Sequence, residues 1–223
     1  MKEYEKSDIN RIKRGQNRAT YDVKKINKII DAGFIGYVSY VYKEQAITLP
    51  MAYGRKENKI YLHSSQGNRM LLALLETKKM SMTIMHLDAL ILARSGLHHS
   101  VNYRSATLFG TVKKIENQQE KEDALHCFME HMMKGRWDGI RPMHKEEIDR
   151  TLVVELTIES AAAKIRDMGV QDEKEDYNLP IWAGKIPVKT IYEYPIPDKE
   201  LSTEIKIPSH ILDFYNKKKN EGF

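Results

Sequence analysis

The sequence predicts a mainly β domain, a barrel of short antiparallel strands with flanking helices, and three observations predict it. Runs dense in aromatic and β-branched residues recur at short intervals between polar turns. Helical spacing is confined to a few segments, so the order runs helix, hairpin, helix, then further strands with one long helical insertion. No G-x-G-x-x-G turn is present, which argues against a doubly wound dinucleotide fold.

The elements follow in order. Residues 1–19 read as a polar arm. From Tyr21, the apolar positions Val23, Ile26, Ile29 and Ile30 have helical spacing, and Gly33 is placed to end that helix as its C′ residue. Phe34 to Tyr42 is a strand by composition. Ala46 to Gly54 is expected to return through Arg55-Lys56-Glu57-Asn58-Lys59 into Ile60 to Ser64, forming a hairpin. Gly67 to Thr77 reads as a helix with Met70, Leu71, Leu74 and Leu75 buried. Lys79 to His86 alternates as a half-buried strand, and Asn102 to Lys113 is another. Asn117 with Glu120 three residues on makes a capping box, opening a helix whose inner face is expected to carry Leu125, Phe128, Met129 and Met132. A short helix near His144 to Arg150 precedes the strand Thr151 to Glu159. One domain over 20–200 results, with a helical insertion at 117–150 and a tail at 201–223 bearing a short helix.

Composition narrows the function. A chain of 223 residues, 41% hydrophobic and 30% charged, buries a core without staples. Cys127 is the single cysteine, which removes both an intrachain disulfide and a zinc framework and fits a reducing, cytoplasmic setting. The start, MKEYEKSDINRIKRGQ, has no apolar h-region, and no apolar run approaches the roughly 20 residues that span a bilayer. The net charge of +5 comes from basic residues interleaved with acids, a solvated face and not a nucleic-acid surface.

The segment Lys59 to Arg69 (KIYLHSSQGNR) ends a strand, turns at Gly67 and opens a helix bearing an arginine. Such a segment is an anion receptor, because the first helical amides lack intrahelical partners and the helix dipole is positive there. Ser64, Ser65 and Asn68 add neutral donors, and Arg69 can bind phosphate through two parallel N–H donors. The same spacing also describes an ordinary strand-to-helix turn with capping serines.

Five stretches, that segment among them, occur in a fixed order: Thr48-Leu-Pro-Met-Ala-Tyr53, Tyr61 to Arg69, Ser95-Gly-Leu-His-His-Ser-Val-Asn-Tyr-Arg-Ser105, Gly135-Arg-Trp137 and Trp182-Ala-Gly-Lys-Ile-Pro187. With them the chain, from Arg14 to about Pro197, resembles the FMN-binding split-barrel group that includes pyridoxamine phosphate oxidases. More narrowly it resembles the nitroimidazole-resistance (Nim) type flavin-nucleotide-binding proteins. The resemblance implies an antiparallel split barrel of Greek-key type, FMN (or FAD) as cofactor, and a homodimer with the flavin between two barrels. It implies that Leu49, Pro50 and Met51 present backbone to the flavin ring, and that His63, Ser64, Asn68 and Arg69 hold the ribityl phosphate. It implies too that Thr83 lies near the ring, that Asn102, Tyr103, Arg104 and Ser105 line the site at the dimer seam, and that Trp182 reaches toward the flavin. The oxidases place a lysine after the arginine, where this chain has Met70, and an arginine-rich stretch after the late tryptophan, where it has Ala183-Gly-Lys-Ile-Pro. Fewer cations for two phosphates argue against pyridoxamine phosphate oxidation.

His63 is the candidate catalytic residue, since an imidazole at the phosphate loop titrates near neutral pH. His98-His99, with His86, invites a metal or haem reading, although adjacent strand histidines face opposite ways; no metal is expected. Trp137 is expected to pack the insertion on the barrel, Met80, Met82 and Met85 to fill core, and Cys127 to be a buried thiol. The leading expectation is an FMN-dependent oxidoreductase acting on a small, planar, electron-poor molecule, nitroaromatics being the sharpest case. The rivals are a flavin carrier without turnover and a haem-binding or haem-degrading protein.

Overall fold

The computed structural model describes residues 2–221. Its strands are β1 (Ala19–Thr20), β2 (Ile35–Tyr42), β3 (Gln45–Ala52), β4 (Gly54–Lys56), β5 (Lys59–Ser65), β6 (Lys79–Leu92), β7 (Ser100–Lys114), β8 (Thr151–Arg166) and β9 (Gly184–Pro187). Every pairing among them is antiparallel, in the order β3-β2-β6-β7-β8-β5-β4, with β1 added to β8 and β9 to β6. The two ends of that path, β3 and β4, are separated in the chain by Tyr53 alone, so the barrel closes through a corner in one bent strand.

That corner corrects the expected hairpin. β3 pairs with β2 across a two-residue turn at Lys43 and Glu44, both with positive φ, as a tight right-twisted hairpin requires. Only β4 pairs with β5. Pro50 has no N–H to give a second neighbour, so β3 is suited to the end of the ladder. Gly54 then lets the chain pass under the insertion, because a Cβ there would lie 2.5 Å from the Phe128 backbone.

The alternating strands send Val38, Tyr40, Leu62, Met82, Ile84, Leu108, Val154 and Leu156 into one core. Helix α1 (Val23–Asp31) adds Ile26, Ile29 and Ile30, and α2 (Arg69–Thr77) adds Met70, Leu71 and Leu74. Met85 points the other way and is exposed, so only Met80 and Met82 fill core as expected. Gly33 does follow α1 directly, yet its φ is not positive; a side chain is excluded because the His86 ring lies 2.9 Å from the Cβ position. At Gly110, where the β7–β8 register shifts, the neighbouring strand comes so close that a Cβ would overlap the Thr157 carbonyl oxygen.

The insertion comprises α3 (Gln118–Met132), capped by Asn117 Oδ1 on the Glu120 amide at 3.1 Å, and α4 (Lys145–Arg150). The buried stripe of α3 is Lys121, Ala124 and Leu125, with Phe128 half-buried and Met132 exposed, so the inner face is rotated from the expected one. Lys121 accounts for the rotation: its ammonium donates to the Ile148 and Thr151 carbonyls where α4 meets β8. Trp137 packs with Tyr61, Ile115 and Leu125, as expected of it. The edge of the Phe128 ring meets His63 at 4.4 Å between centroids, and His131 shares a 2.9 Å hydrogen bond with the Gly33 carbonyl. The polar arm is tied down as well, since buried Asn10 donates to the Glu5 and Ala161 carbonyls. A helix α5 (Ser209–Glu221) lies in the tail.

Two predictions follow from this packing. Gly110→Ala forces strand against strand and should cost about 2–3 kcal/mol, lowering Tm by roughly 4–12 °C. Gly67→Ala, where a Cβ meets nothing within 4 Å, should leave Tm unchanged in the same calorimetric scan. Burial holds the imidazoles of His63 and His131 below their ordinary pKa. The unfolded chain therefore binds protons that the folded one refuses as pH falls past about 6.5, so stability is full above that value and declines below it. Guanidinium midpoints should drop between about pH 7.5 and about pH 5.5, and drop less in His63→Phe.

Candidate functional site

β5 delivers Ser64 and Ser65 to the start of α2, and Asn68 caps that helix. Its Oδ1 accepts the Leu71 amide at 3.0 Å while its Nδ2 donates to Ser64 Oγ at 3.0 Å, which fixes the amide and the hydroxyl together. The Arg69 and Met70 amides are left without intrahelical acceptors, and the first turn holds no acidic side chain. The Arg69 guanidinium stands 4.7 Å from the centroid of the Tyr42 ring and donates to Tyr40 Oη at 3.4 Å. No carboxylate pairs with it among the described residues. Gly67 has ordinary φ and open space where a Cβ would stand, so the turn does not require glycine; its smallness keeps the loop mouth clear. Two amides without intrahelical acceptors, a positioned hydroxyl and an arginine held by two aromatic residues without a carboxylate partner have the donor chemistry of an anion receptor.

Of the residues expected beside this loop, Ser64, Asn68 and Arg69 come together. His63 alternates to the opposite face of β5, where its ring meets Phe128 and its buried Nδ1 has no hydrogen-bond partner. Leu49, Pro50 and Met51 lie on β3, the end strand, with Leu49 and Pro50 exposed. Thr83 sits on the outer face of β6, 3.1 Å from the Thr107 hydroxyl and in register with Tyr37.

The β7 residues divide. Asn102 is buried with its amide committed to Arg166, Met168 and Asp167, so it fixes where β8 exits. Arg104 binds Asp88 through Nε and Nη2 at 2.8–3.2 Å, and this pair lines a cavity of about 330 Å³ with Phe34, Tyr37, Met85, His86 and Tyr192. Tyr103 is opposite Arg166 in the β7–β8 ladder, and Ser105 opposite Lys164. Trp182 is 68% exposed, its ring lying over Gly184 at the start of β9, where a Cβ would stand 2.9 Å from it.

His98 and His99 are not on a strand; they lie in the β6–β7 connection. His98 approaches Glu173 at 3.4 Å, and His99 Nδ1 is 2.9 Å from the Ser95 carbonyl. His86 is engaged at Nε2 by the Ile29 carbonyl. Burial pushes the Cys127 thiol up, in keeping with an unreactive sulfur. Among the described residues, no group of three or more His, Cys, Asp or Glu is placed to hold a metal ion, and no helix is long and apolar enough to cross a membrane. Sequence reasoning missed Tyr40 and Tyr42 as the support of Arg69. The signal was the alternation of β2, which puts both on the side of Val38.

Three comparisons bear on this arrangement. Residues 22–165 match the family model described as pyridoxamine 5'-phosphate oxidase. Among solved structures, the flavocytochrome Anf3 from Azotobacter vinelandii is 31% identical with a TM-score of 0.88, the match covering 93% of this chain and 96% of that one. The FAD and heme binding protein from Mycobacterium smegmatis is 26% identical with a TM-score of 0.83, over 88% of this chain and 96% of that one. A putative 5-nitroimidazole antibiotic resistance protein from Bacteroides thetaiotaomicron shares the fold at 22% identity and a TM-score of 0.58, over 66% and 86%. No curated protein matches. With the family model spanning residues 22–165, and with a 31% identical structure matched over 93% of the chain, the chain belongs to the pyridoxamine 5'-phosphate oxidase family.

Proposed function

We propose that this protein is a flavin-nucleotide-binding oxidoreductase whose cofactor phosphate is received at the N-terminus of α2. The observation that carries the reading is the unpaired Arg69, held by Tyr40 and Tyr42 over a helix start free of acids. Ser64 Oγ and the Arg69 and Met70 amides take the phosphate oxygens, and Asn68 holds Ser64 in place. The exposed edge of β3 at Leu49 to Met51 offers backbone to the ring. FMN and FAD present the same ring and first phosphate to this loop. Bound flavin supplies the electron and hydride chemistry, while the chain binds, orients and shields it. A small electron-poor molecule, a nitroaromatic in the sharpest version, is the acceptor. The apolar outer face at Ile35, Tyr37, Met85 and Leu87 is exposed in one chain and suits burial against a second copy, giving a homodimer in a cytoplasmic setting.

Haem binding is favoured as a second reading by the two similar structures, one a flavocytochrome and one named for FAD and heme. In this chain His99 would be the residue to hold the haem iron. Its Nδ1–H donates to the Ser95 carbonyl, which leaves the Nε2 lone pair free on an exposed connection, the arrangement that ligating histidines adopt.

The purified protein should carry flavin absorbance or gain it on addition of FMN, and should oxidise NAD(P)H faster with a nitroaromatic present. Arg69→Ala should weaken flavin binding by about 1–3 kcal/mol, read from fluorescence quenching; an unchanged Kd would mean that the phosphate lies elsewhere. Haemin should raise a Soret band that His99→Ala abolishes and His86→Ala retains. Equal bands in all three proteins would exclude His99 as the ligand.

A further inference from the structure

At the far end of β8 the fold gathers cations that no acid answers. Arg166, the last residue of β8, is only 4% exposed, yet its side chain donates from Nη1 to Asn102 Oδ1 at 2.5 Å while its buried Nε has no acceptor among the described residues. The buried Nε of Arg18 has none either. Burial first, and then the nearby Arg18 guanidinium, hold Arg166 below its ordinary pKa, while Tyr103 acts in the opposite sense. Lys164 is two residues before Arg166 and shares its face of the strand. Pairing of Ala19 with Lys164 sets Arg18 beside this stretch. Gly15, at φ +69, lets the arm fold down over it: a Cβ there would stand 3.2 Å from the Lys164 side chain and 3.9 Å from Arg18 Cδ.

The cluster is preorganised. Asn102 receives the Met168 amide and gives its own N–H groups to the Met168 carbonyl and Asp167, so its oxygen is locked toward Arg166. The nearest acid in sequence, Asp167, is turned to Asn102 and Lys185. Among the described residues no carboxylate forms an ion pair with Arg18, Lys164 or Arg166. Buried arginines of natural proteins are paired, because an uncompensated charge in a low-dielectric setting is costly. Tyr103, opposite Arg166 in the ladder, brings a hydroxyl to the same face, while Ser105, opposite Lys164, donates to the Lys164 carbonyl.

We infer that Arg18, Lys164 and Arg166, with Tyr103, form a second oxyanion site that takes the phosphate or carboxylate group of a small molecule. It is separate from the α2 loop within one chain. Ser65 is in register with Thr151, the first residue of β8, whereas Arg166 is the last, so the two stand at opposite ends of that strand. The inference does not rest on the flavin reading, and its readout differs from that of Arg69→Ala.

Calorimetric titration of the full purified chain with inorganic phosphate, and in a parallel arm with acetate, tests the site at fixed ionic strength. Arg69→Ala serves as the control that removes binding at the α2 loop. Binding of at least one probe should persist in Arg69→Ala and weaken tenfold or more in Arg18→Gln and in Lys164→Gln, two partly exposed positions that tolerate substitution better than buried Arg166. Flavin retention should be unchanged in both variants. The inference is overturned if neither anion binds, if Arg18→Gln and Lys164→Gln bind like the wild type, or if they release flavin, which would assign the cluster to the flavin site.

Discussion

Tyr53 is the constraint on which the rest of the arrangement depends. It is the single residue between the two ends of the sheet, and it is almost wholly buried. Its hydroxyl donates to the Ile30 carbonyl at the C-terminal end of α1 at 2.5 Å, and its amide donates to the Phe34 carbonyl at the entry to β2. Its ring lies 5.0 Å from His131 of the insertion. One side chain thereby joins the helix that plugs the barrel, the hairpin that ends the sheet and the helix that covers β4 and β5. Burial, with Asp31 nearby, holds its phenol far above the ordinary value, so the donor stays protonated at any working pH. If the corner opened, β3 would lose its position relative to β4 and β5.

How the fold treats its arginines separates structure from function. Arg55 is held by Asp31, Arg94 by Asp172, Arg104 by Asp88 and Arg141 by Glu147. In Arg55, Arg104 and Arg141 two guanidinium donors meet the carboxylate, and in Arg94 one guanidinium donor and the backbone amide do, so each pair acts as a positioning device. Arg69 and Arg166 lack such partners, and both are instead oriented by neutral groups, tyrosines in one case and an asparagine in the other. A neutral support keeps the cation available, since nothing neutralises its charge. Arg104 shows why residue type alone misleads: it stands in the expected stretch, but Asp88, sixteen residues earlier on the neighbouring strand, already occupies it.

Much of this was legible in the sequence because local patterns governed it. The period-two alternation of β2 and β6 and the spacing of Met70, Leu71 and Leu74 were set by one buried face each. Asn68 and Asn117 announced the starts of α2 and α3 by capping chemistry. What escaped were consequences of distant contacts. The corner at Tyr53 depends on Gly54 meeting Phe128, and the rotation of α3 on Lys121 reaching carbonyls 27 and 30 residues on. His63 was placed correctly in its strand, but its face was not, since the strand's two sides are both covered and composition does not tell them apart. Gly67 looked like a turn residue, and only its ordinary φ shows that space, not backbone freedom, is what it provides.

β3 carries the last step. It is the end strand, and an exposed apolar edge invites pairing that natural proteins block or use. Pro50 blunts it as a template for another strand by removing one N–H, yet Leu49 remains exposed beside it. On the outer face, Tyr37 is in register with both Pro50 and Thr83, and Met85 with Ser105. A continuous band of apolar and hydroxyl side chains thus runs from the β3 edge toward Lys164 and Arg166. In the proposed dimer that band is where a second copy would lie. Ser65 is in register with the first residue of β8 and Arg166 is the last, so the α2 loop and the cationic cluster stand at opposite ends of that strand.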